Sequence, residues 1–282
     1  MPTTTITEPM TAVACCAAFY EQDWIQAILG DSFHPGGADL SARLIRGLHL
    51  PANSRVLDVA CGIGATARLM AREFGLDVVG LDASTANVAK AENLLGGETA
   101  AFVTGDAAAL PFPDDSFDAV VCECAVSTFA DQARVVAEFA RVLKPGGVVG
   151  ITDMVIEGEL PEDIAGVIAP WTCLVAARTV IDYQSIFLSA GLRVVEYADE
   201  SLSLRNLVAD LKRKLLAAGL GRSLGVVPGL DGLDLGGLRE LLKRAGELVR
   251  NGTVQYARLT FAKGRPRFTP ASACCDPSGG CC

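Results

Sequence analysis

The sequence is poor in histidine and in basic side chains. It has 2 histidines among 282 residues, and its 24 Lys and Arg residues stand against 33 Asp and Glu residues, which gives a formal net charge of −9. Because nucleic-acid-binding proteins usually present a basic face, this balance argues against a nucleic-acid partner. Histidine is nearly absent and no Cys-x-x-Cys pair occurs, so we expect neither a zinc site nor any other permanently bound metal.

Long apolar segments are missing as well. No stretch of about eighteen apolar residues is free of charges and turn residues, as a membrane-spanning helix would require. Residues 1–14 lack the basic start of a signal peptide. We therefore expect a cytoplasmic protein without a membrane partner. Hydrophobic residues make up 50% of the chain, which excludes disorder of the whole chain.

Cysteine, by contrast, is abundant. The chain has 10 cysteines, although structural disulfides are not expected in a cytoplasmic protein. Six of them form the adjacent pairs Cys15–Cys16, Cys274–Cys275 and Cys281–Cys282. Cys61, Cys122 and Cys124 are interpreted as small buried side chains. The adjacent pairs and Cys173 need another explanation.

From residue 55 onward, short apolar runs alternate with helical segments. The apolar runs predict strands at residues 55–60, 77–82, 101–104, 117–122, 148–152, 192–197 and 254–262. Helices are predicted at residues 65–74, 85–95, 131–143 and 183–190. This alternation is typical of a doubly wound α/β fold with a mostly parallel, seven-stranded, Rossmann-like sheet.

Three parts are expected along the chain. Residues 1–54 are predicted to form a helical lead-in or lid, residues 55–264 the main domain, and residues 265–282 a flexible Cys-rich tail. Within the main domain, residues 200–250 are mostly helical in pattern and precede the last strand. We expect this helical insert to cap the carboxyl edge of the sheet.

The most informative segment is residues 56–64, where an apolar strand ends in glycines and a helix follows. Gly62 and Gly64 allow a tight turn and a close approach of the backbone to a ligand. The N–H groups at the start of the helix can face an anionic part of that ligand. Gly62-x-Gly64-x-x-Ala67, with Asp82 eighteen residues past Gly64, also fits a dinucleotide site, so a nicotinamide oxidoreductase is a distant alternative.

Several motifs in order resemble the class I S-adenosylmethionine-dependent methyltransferases. These motifs are Val56–Gly64, Leu81-Asp82, Gly105-Asp106, Phe112–Asp118 and Arg141–Gly147, and they span about residues 50–155. The resemblance implies a Rossmann-like methyltransferase fold, with S-adenosyl-L-methionine as the methyl donor. The family more often has glycine at the position of Ala60.

The resemblance also implies roles for individual residues. Gly62 and Gly64 would lie beside the methionine part of the cofactor, Asp82 at the ribose hydroxyls, and Asp106 at the adenine. Glu123 would lie near the cofactor after the fourth strand. The full set of cofactor-binding candidates is Asp58, Ala60, Gly62, Gly64, Asp82, Ala83, Asp106, Ala107 and Glu123.

The acceptor is expected to be set by segments outside the glycine loop. Residues 159–164, followed by residues 170–174, resemble part of the arsenite methyltransferases, with Cys173 at the position of a metalloid-binding cysteine. Soft thiolates bind trivalent arsenic far better than oxygen donors do. Cys173, Cys15 and Cys16 are therefore the catalytic and metalloid-binding candidates, with glutathione or another thiol reductant as a partner. Two further cysteines of that family have no counterpart here.

Two other hypotheses stay open. The acceptor can be a small organic oxygen, nitrogen or carbon compound, with Phe129, Trp171 and Tyr183 lining an apolar pocket. Alternatively, the chain is a metalloid-sequestering protein on a degenerate methyltransferase fold. His34, next to Pro35 and two glycines, is a candidate acid-base residue at the mouth of the site.

Overall fold

A computed structural model describes residues 34–162, 174, 176–223 and 235–267. Its centre is a seven-stranded sheet. The strands are β1 (Arg55–Val59), β2 (Asp77–Asp82), β3 (Ala100–Thr104), β4 (Phe117–Glu123), β5 (Leu143–Ile156), β6 (Leu192–Asp199) and β7 (Val254–Lys263). The helices are α1 (Gly37–Gly47), α2 (Ala65–Phe74), α3 (Thr85–Asn93), α4 (Gln132–Val142), α5 (Val180–Ser189), α6 (Ser201–Ser223) and α7 (Leu235–Arg250).

The strand order is β3-β2-β1-β4-β5-β7-β6. β1 to β5 run parallel, and β7 runs antiparallel to both of its neighbours. This confirms the predicted doubly wound, mostly parallel sheet. The order reverses between β1 and β4, and ligands of such sheets bind outside the carboxyl ends of the strands at that switch point.

Both faces of the sheet are covered because strand side chains alternate between faces. On one face, α1, α2 and α3 pack against inward-facing residues such as Val56, Val78 and Val121. On the other face, α4 and α5 pack against residues such as Leu57 and Val120. The sheet is therefore buried on both sides, which explains why its central strands read as continuous apolar runs.

Two elements, β5 and α5, begin three or more residues before their predicted starts. β5 begins at Leu143 rather than at residue 148, because Leu143 is fully buried and pairs with Phe117 across an irregular register. It continues to Ile156 because β7 pairs with it that far. α5 begins at Val180 rather than at residue 183, because the Thr179 hydroxyl caps it by accepting the Asp182 N–H.

The helical pair before the last strand packs on the carboxyl-terminal part of β5. Leu204 of α6 and Val249 of α7 meet Met154 and Tyr256 in a separate apolar cluster, to which Leu40 of α1 also belongs. Among the described helices, none combines the length and the apolar character that a membrane span requires.

Candidate active site

The glycine loop connects β1 to α2 through backbone conformations that favour glycine. Gly62 and Gly64 have φ values of 54° and 74°, and Ala60 has a φ of 58°. A Cβ on Gly64 would lie 2.5 Å from the Phe102 ring, whereas a Cβ on Gly62 would meet nothing within 4 Å. Gly64 is thus required by packing, while Gly62 faces open space that a ligand can fill.

Asp82, at the end of β2, holds this loop directly. Its Oδ2 accepts the Gly62 N–H at 2.8 Å, and its Oδ1 accepts the Ser84 N–H at 2.9 Å and a longer bond from the Asn87 amide. Ser84 in turn caps α3 by accepting the Asn87 N–H. Because an ionised carboxylate offers about four acceptor positions, Asp82 can accept a further donor.

Asp58 is buried inside β1, with 3% of its surface exposed. Burial, together with the nearby Glu123 and Asp82 carboxylates, raises the pKa of the Asp58 carboxyl well above its ordinary value. The backbone N–H of Ala67 opposes this rise by donating to the carboxylate. Oδ2 of Asp58 is buried and has no hydrogen-bond partner among the described residues.

Glu123, at the end of β4, is held by side chains from three other segments. Its Oε2 accepts hydrogen bonds of 2.8 Å from the Ser41 hydroxyl of α1 and from the Thr66 hydroxyl of α2. The His34 Nε2 atom lies 3.5 Å from the same oxygen. The Glu123 side chain is only 5% exposed, and its buried Oε1 has no hydrogen-bond partner within the described part of the chain.

The remaining cofactor candidates line the same edge of the sheet. Asp106 follows β3, is exposed, and accepts the Ala108 N–H at 2.8 Å, which leaves carboxylate positions open to solvent. Ala107 beside it is buried, and Ala83 after β2 is exposed. The structure therefore brings Asp58, Asp82, Asp106 and Glu123 to one edge, where the sequence predicts them.

A cavity of about 260 Å³ opens between α1 and α2. Its lining residues include Ser41, Thr66, Arg68 and Arg72. Ser41 and Thr66 also donate their hydroxyls to Glu123, so the cavity adjoins residues that hold this buried carboxylate.

The turn after β4 is fixed by a further buried carboxylate, that of Asp153. Asp153 of β5 is fully buried and accepts the Ser127 N–H at 3.0 Å and the Ser127 hydroxyl at 2.5 Å. Burial raises the pKa of Asp153 to about 6, against the opposing effect of these hydrogen bonds. Asp153 thus anchors the short 3-10 turn at Val126–Thr128, next to Glu123.

The cysteine predictions divide into two groups. Cys173, Cys15 and Cys16 lie outside the described residues, as do Trp171 and the pairs Cys274–Cys275 and Cys281–Cys282. Cys122 is fully buried, as predicted, and Cys61 and Cys124 are partly buried. Burial, with Asp58 and Asp82 nearby, raises the pKa of the Cys61 thiol, so this thiol is a poor nucleophile. Among the described residues, no group of His, Cys, Asp or Glu is arranged to hold a metal ion.

Some residues play parts that the sequence did not indicate. Ser41 and Thr66 contact Glu123, yet each looks like an ordinary helix residue. Thr66 comes two residues after Gly64, at the start of the helix that follows the glycine loop. This position alone could have predicted that Thr66 lies near the ligand site. Phe129 and Tyr183 are core side chains, and the Tyr183 hydroxyl donates to the Met154 carbonyl, so the structure does not support them as pocket walls.

These features suit a cationic ligand with polar hydroxyls. Asp58 and Glu123 each present a buried carboxylate oxygen without a partner among the described residues. Gly62 leaves open space above the loop, and Asp82 and Asp106 keep acceptor positions at the same edge. A sulfonium nucleoside such as S-adenosylmethionine has a matching set of groups.

Comparisons with known proteins point to the same ligand. A family model described as a methyltransferase domain matches residues 57–151. Methyltransferase GfsG of Streptomyces halstedii is 30% identical over 206 residues, which cover 65% of this chain and 74% of that protein. An arsenite methyltransferase of Halobacterium salinarum is 36% identical over 154 residues, which cover 52% of this chain but only 39% of that protein.

Solved structures share this fold. Phosphoethanolamine N-methyltransferase 2 of Haemonchus contortus, in complex with phosphomonomethylethanolamine and S-adenosylhomocysteine, matches with a TM-score of 0.77 at 21% identity. The match covers 91% of this chain and 61% of that one. The chain thus belongs to the class I S-adenosylmethionine-dependent methyltransferases, and S-adenosylmethionine is its methyl donor.

Proposed function

We propose that this enzyme binds S-adenosylmethionine at the carboxyl ends of β1, β2 and β4 and transfers its methyl group to a small acceptor. The proposed position of the cofactor rests on one observation. Two buried carboxylate oxygens without partners among the described residues, on Asp58 and Glu123, adjoin a glycine loop in which Gly62 leaves room for a ligand. The cofactor supplies an electrophilic methyl group on a positively charged sulfur.

Each residue at this edge then has a distinct task. Gly62 and Gly64, with Ala60 before them, keep the loop close to the ligand. Asp82 positions the loop through the Gly62 N–H and keeps an acceptor position for a ribose hydroxyl.

The adenine end and the reacting end lie on opposite sides of Asp82. Asp106, with Ala107 beside it, faces the adenine side, and Ala83 adjoins the ribose. Glu123, held by Ser41 and Thr66, borders the side where the acceptor enters. Methyl transfer then depends on alignment and on the exclusion of water more than on covalent help from the protein.

The cavity beside Ser41 and Thr66 supports a small organic acceptor. Its volume of about 260 Å³ is just below the usual range of ligand pockets, about 300–1,000 Å³, so it suits a small molecule rather than a large one. The relatives named above include an enzyme named for arsenite and one named for phosphoethanolamine, so membership of the family does not select one acceptor. His34, 3.5 Å from Glu123 Oε2, is the acid-base candidate at this end.

The test is binding and turnover with the purified full chain. Titration calorimetry with S-adenosylmethionine should give saturable binding by the wild type, and weaker binding by Asp82→Ala. Transfer from methyl-labelled S-adenosylmethionine is then assayed against small phenols, amines and carboxylates. No binding of S-adenosylmethionine by the folded wild type would overturn the proposal.

A second candidate names a metalloid as the acceptor. It is favoured by Cys173 in a segment that resembles the arsenite methyltransferases, by the pair Cys15–Cys16, and by the 36% identity with an arsenite methyltransferase. Trivalent arsenic held by thiolates keeps a lone pair that can attack the methyl group, and its binding displaces protons from the thiols.

Methylation of arsenite in the presence of glutathione tests this candidate. Cys173→Ser should abolish methylation, while Cys122→Ala, which changes a core thiol, should retain it. Equal rates for the wild type and Cys173→Ser would remove Cys173 from the reaction. No arsenite turnover, with turnover of an organic acceptor, would favour the first candidate.

A further inference from the structure

The strand register brings three carboxylates to one face of the sheet. Asp58 of β1 pairs with Gly80 of β2 on one side and with Val121 of β4 on the other. Asp82 and Glu123 each lie two residues beyond those partners, so their side chains point to the same face as Asp58. Because neighbouring strands are about 4.8 Å apart, three negative charges can meet within a small volume.

Almost no solvent reaches this cluster. Asp58 is 3% exposed, Asp82 8%, and the Glu123 side chain 5%. One oxygen of Asp58 and one of Glu123 lack any hydrogen-bond partner among the described residues. A buried ionised oxygen without a partner is costly, and like charges nearby add to that cost.

The surrounding groups do not neutralise three carboxylates. From α1 and the turn before it, the Ser41 hydroxyl and His34 face Glu123, and α2 contributes the Thr66 hydroxyl. The Ala67 N–H and the Cys61 thiol face Asp58. Burial, with Cys124, Glu123 and Asp153 nearby, raises the pKa of the Tyr256 hydroxyl of β7. Apart from His34, the described groups on this cluster are neutral or negative.

We propose that Asp58, beside the Glu123 and Asp82 carboxylates, responds to the charge of the cofactor: Asp58 holds a proton in the empty site, releases it to solvent when the cationic methyl donor binds, and regains one when the uncharged thioether product remains. The proposal rests on the placement of S-adenosylmethionine given above. Burial and the two neighbouring carboxylates, which raise the pKa of Asp58, identify Asp58 as the site of the proton.

The charge balance follows from the reaction. S-adenosylmethionine carries one more positive charge than S-adenosylhomocysteine, because its sulfur is a sulfonium. During transfer the acceptor's electron pair forms the new bond to carbon, and the electrons of the broken sulfur–carbon bond stay on sulfur. The site thereby loses one positive charge, and a solvent proton that returns to Asp58 restores the earlier net charge of the site. Substrate is thus favoured over product as the pH rises.

Titration calorimetry in two buffers of different ionisation enthalpy, phosphate and Tris, measures the released protons at pH 7. The ligands are S-adenosylmethionine, sinefungin, which has an amine in place of the sulfonium, and S-adenosylhomocysteine. We expect more proton release, up to one proton per site, for the first two than for S-adenosylhomocysteine. Asp58→Asn should remove the difference, whereas Glu240→Gln, an exposed ion-pair residue of α7, should preserve it.

A second measurement covers the case in which Asp58→Asn does not fold. For the wild type, the ratio of the Kd of S-adenosylhomocysteine to that of S-adenosylmethionine should rise with pH between pH 5.5 and 8.5, by at most tenfold per pH unit. Equal proton release for all three ligands, or a ratio independent of pH, overturns this proposal and leaves the proposed function standing. Absence of S-adenosylmethionine binding overturns both.

Discussion

The Asp82 carboxylate accepts the backbone N–H of Gly62 across 2.8 Å. The end of β2 is thereby joined to the loop after β1, and both lie at the point where the strand order reverses. This bond fixes the position of a glycine that lies beside an open space.

Replacement of Asp82 should weaken cofactor binding. Asp82→Ala removes the acceptor of three hydrogen bonds, from Gly62, Ser84 and Asn87, and we expect at least a tenfold higher Kd for S-adenosylmethionine, which is about 1.4 kcal/mol. Asp82→Asn keeps one acceptor oxygen and should show a smaller loss. Calorimetry measures both values, with Glu240→Gln as the control. An unchanged Kd in Asp82→Ala would contradict the assigned role.

The two loop glycines should respond differently to alanine. Gly64→Ala places a Cβ 2.5 Å from the Phe102 ring, so we expect a loss of stability of about 1–3 kcal/mol from overpacking. Gly62→Ala meets nothing within 4 Å, so its stability should fall only by the backbone strain, about 1–2 kcal/mol, while S-adenosylmethionine binding is lost.

Urea denaturation and calorimetry on the same two variants separate these effects. Gly64→Ala should have the lower denaturation midpoint. If Gly62→Ala bound S-adenosylmethionine as tightly as the wild type, the space above Gly62 would not be the cofactor site.

Ala60 is expected to be a point of strain. Its φ of 58° lies in the left-handed region, where a Cβ costs roughly 1 kcal/mol or more. Ala60→Gly should therefore leave stability equal or raise it, because the relief of strain offsets the greater freedom of glycine in the unfolded chain. Ala67→Gly, in the buried part of α2, is the control and should lower stability. A clear loss of stability in Ala60→Gly would be inconsistent with this backbone geometry.

Asp153 should make stability depend on pH. Its pKa of about 6 in the folded chain lies above that of an unfolded aspartate, so the folded state binds the proton more tightly. The resulting stabilisation is complete below about pH 4 and is lost as the pH rises through 6, for a total of roughly 3 kcal/mol.

The measurement is the free energy of unfolding of the wild type minus that of Asp153→Asn, by urea denaturation from pH 4 to pH 8. Taking this difference removes the contribution of the other carboxylates, such as Glu138, whose pKa is lowered by Arg141. The difference should decrease with rising pH. If this difference were independent of pH or rose with pH, burial would not raise the pKa of Asp153 in the folded chain.

Much of the fold was accessible from sequence because the central strands are buried on both faces. Apolar runs such as residues 77–82 are long enough to mark a strand without ambiguity, and the predicted bounds of β2 match the structure. β5 was harder because Pro145, Gly146 and Gly147 suggest a turn. The pairing of Leu143 with Phe117, a tertiary contact, overrides that local preference.

The candidate site, like the fold, could be predicted from the sequence only in part. Gly62, Gly64, Asp58, Asp82 and Asp106 lie at or near the carboxyl ends of strands. Their positions in the sequence therefore predict that they meet at one edge of the sheet. The contacts of Ser41 and His34 with Glu123 join residues about 80 to 90 positions apart. No local pattern encodes such a contact, because it depends on how α1 packs across the sheet.

A crystal structure of the full chain with S-adenosylhomocysteine would show where the cofactor binds. We predict that the ligand occupies the space above Gly62, with its ribose hydroxyls on Asp82, its adenine beside Asp106, and its sulfur on the side of Asp58 and Glu123. Ligand density elsewhere on the chain, with no ligand atom near Asp58 or Glu123, would contradict the proposed cofactor site.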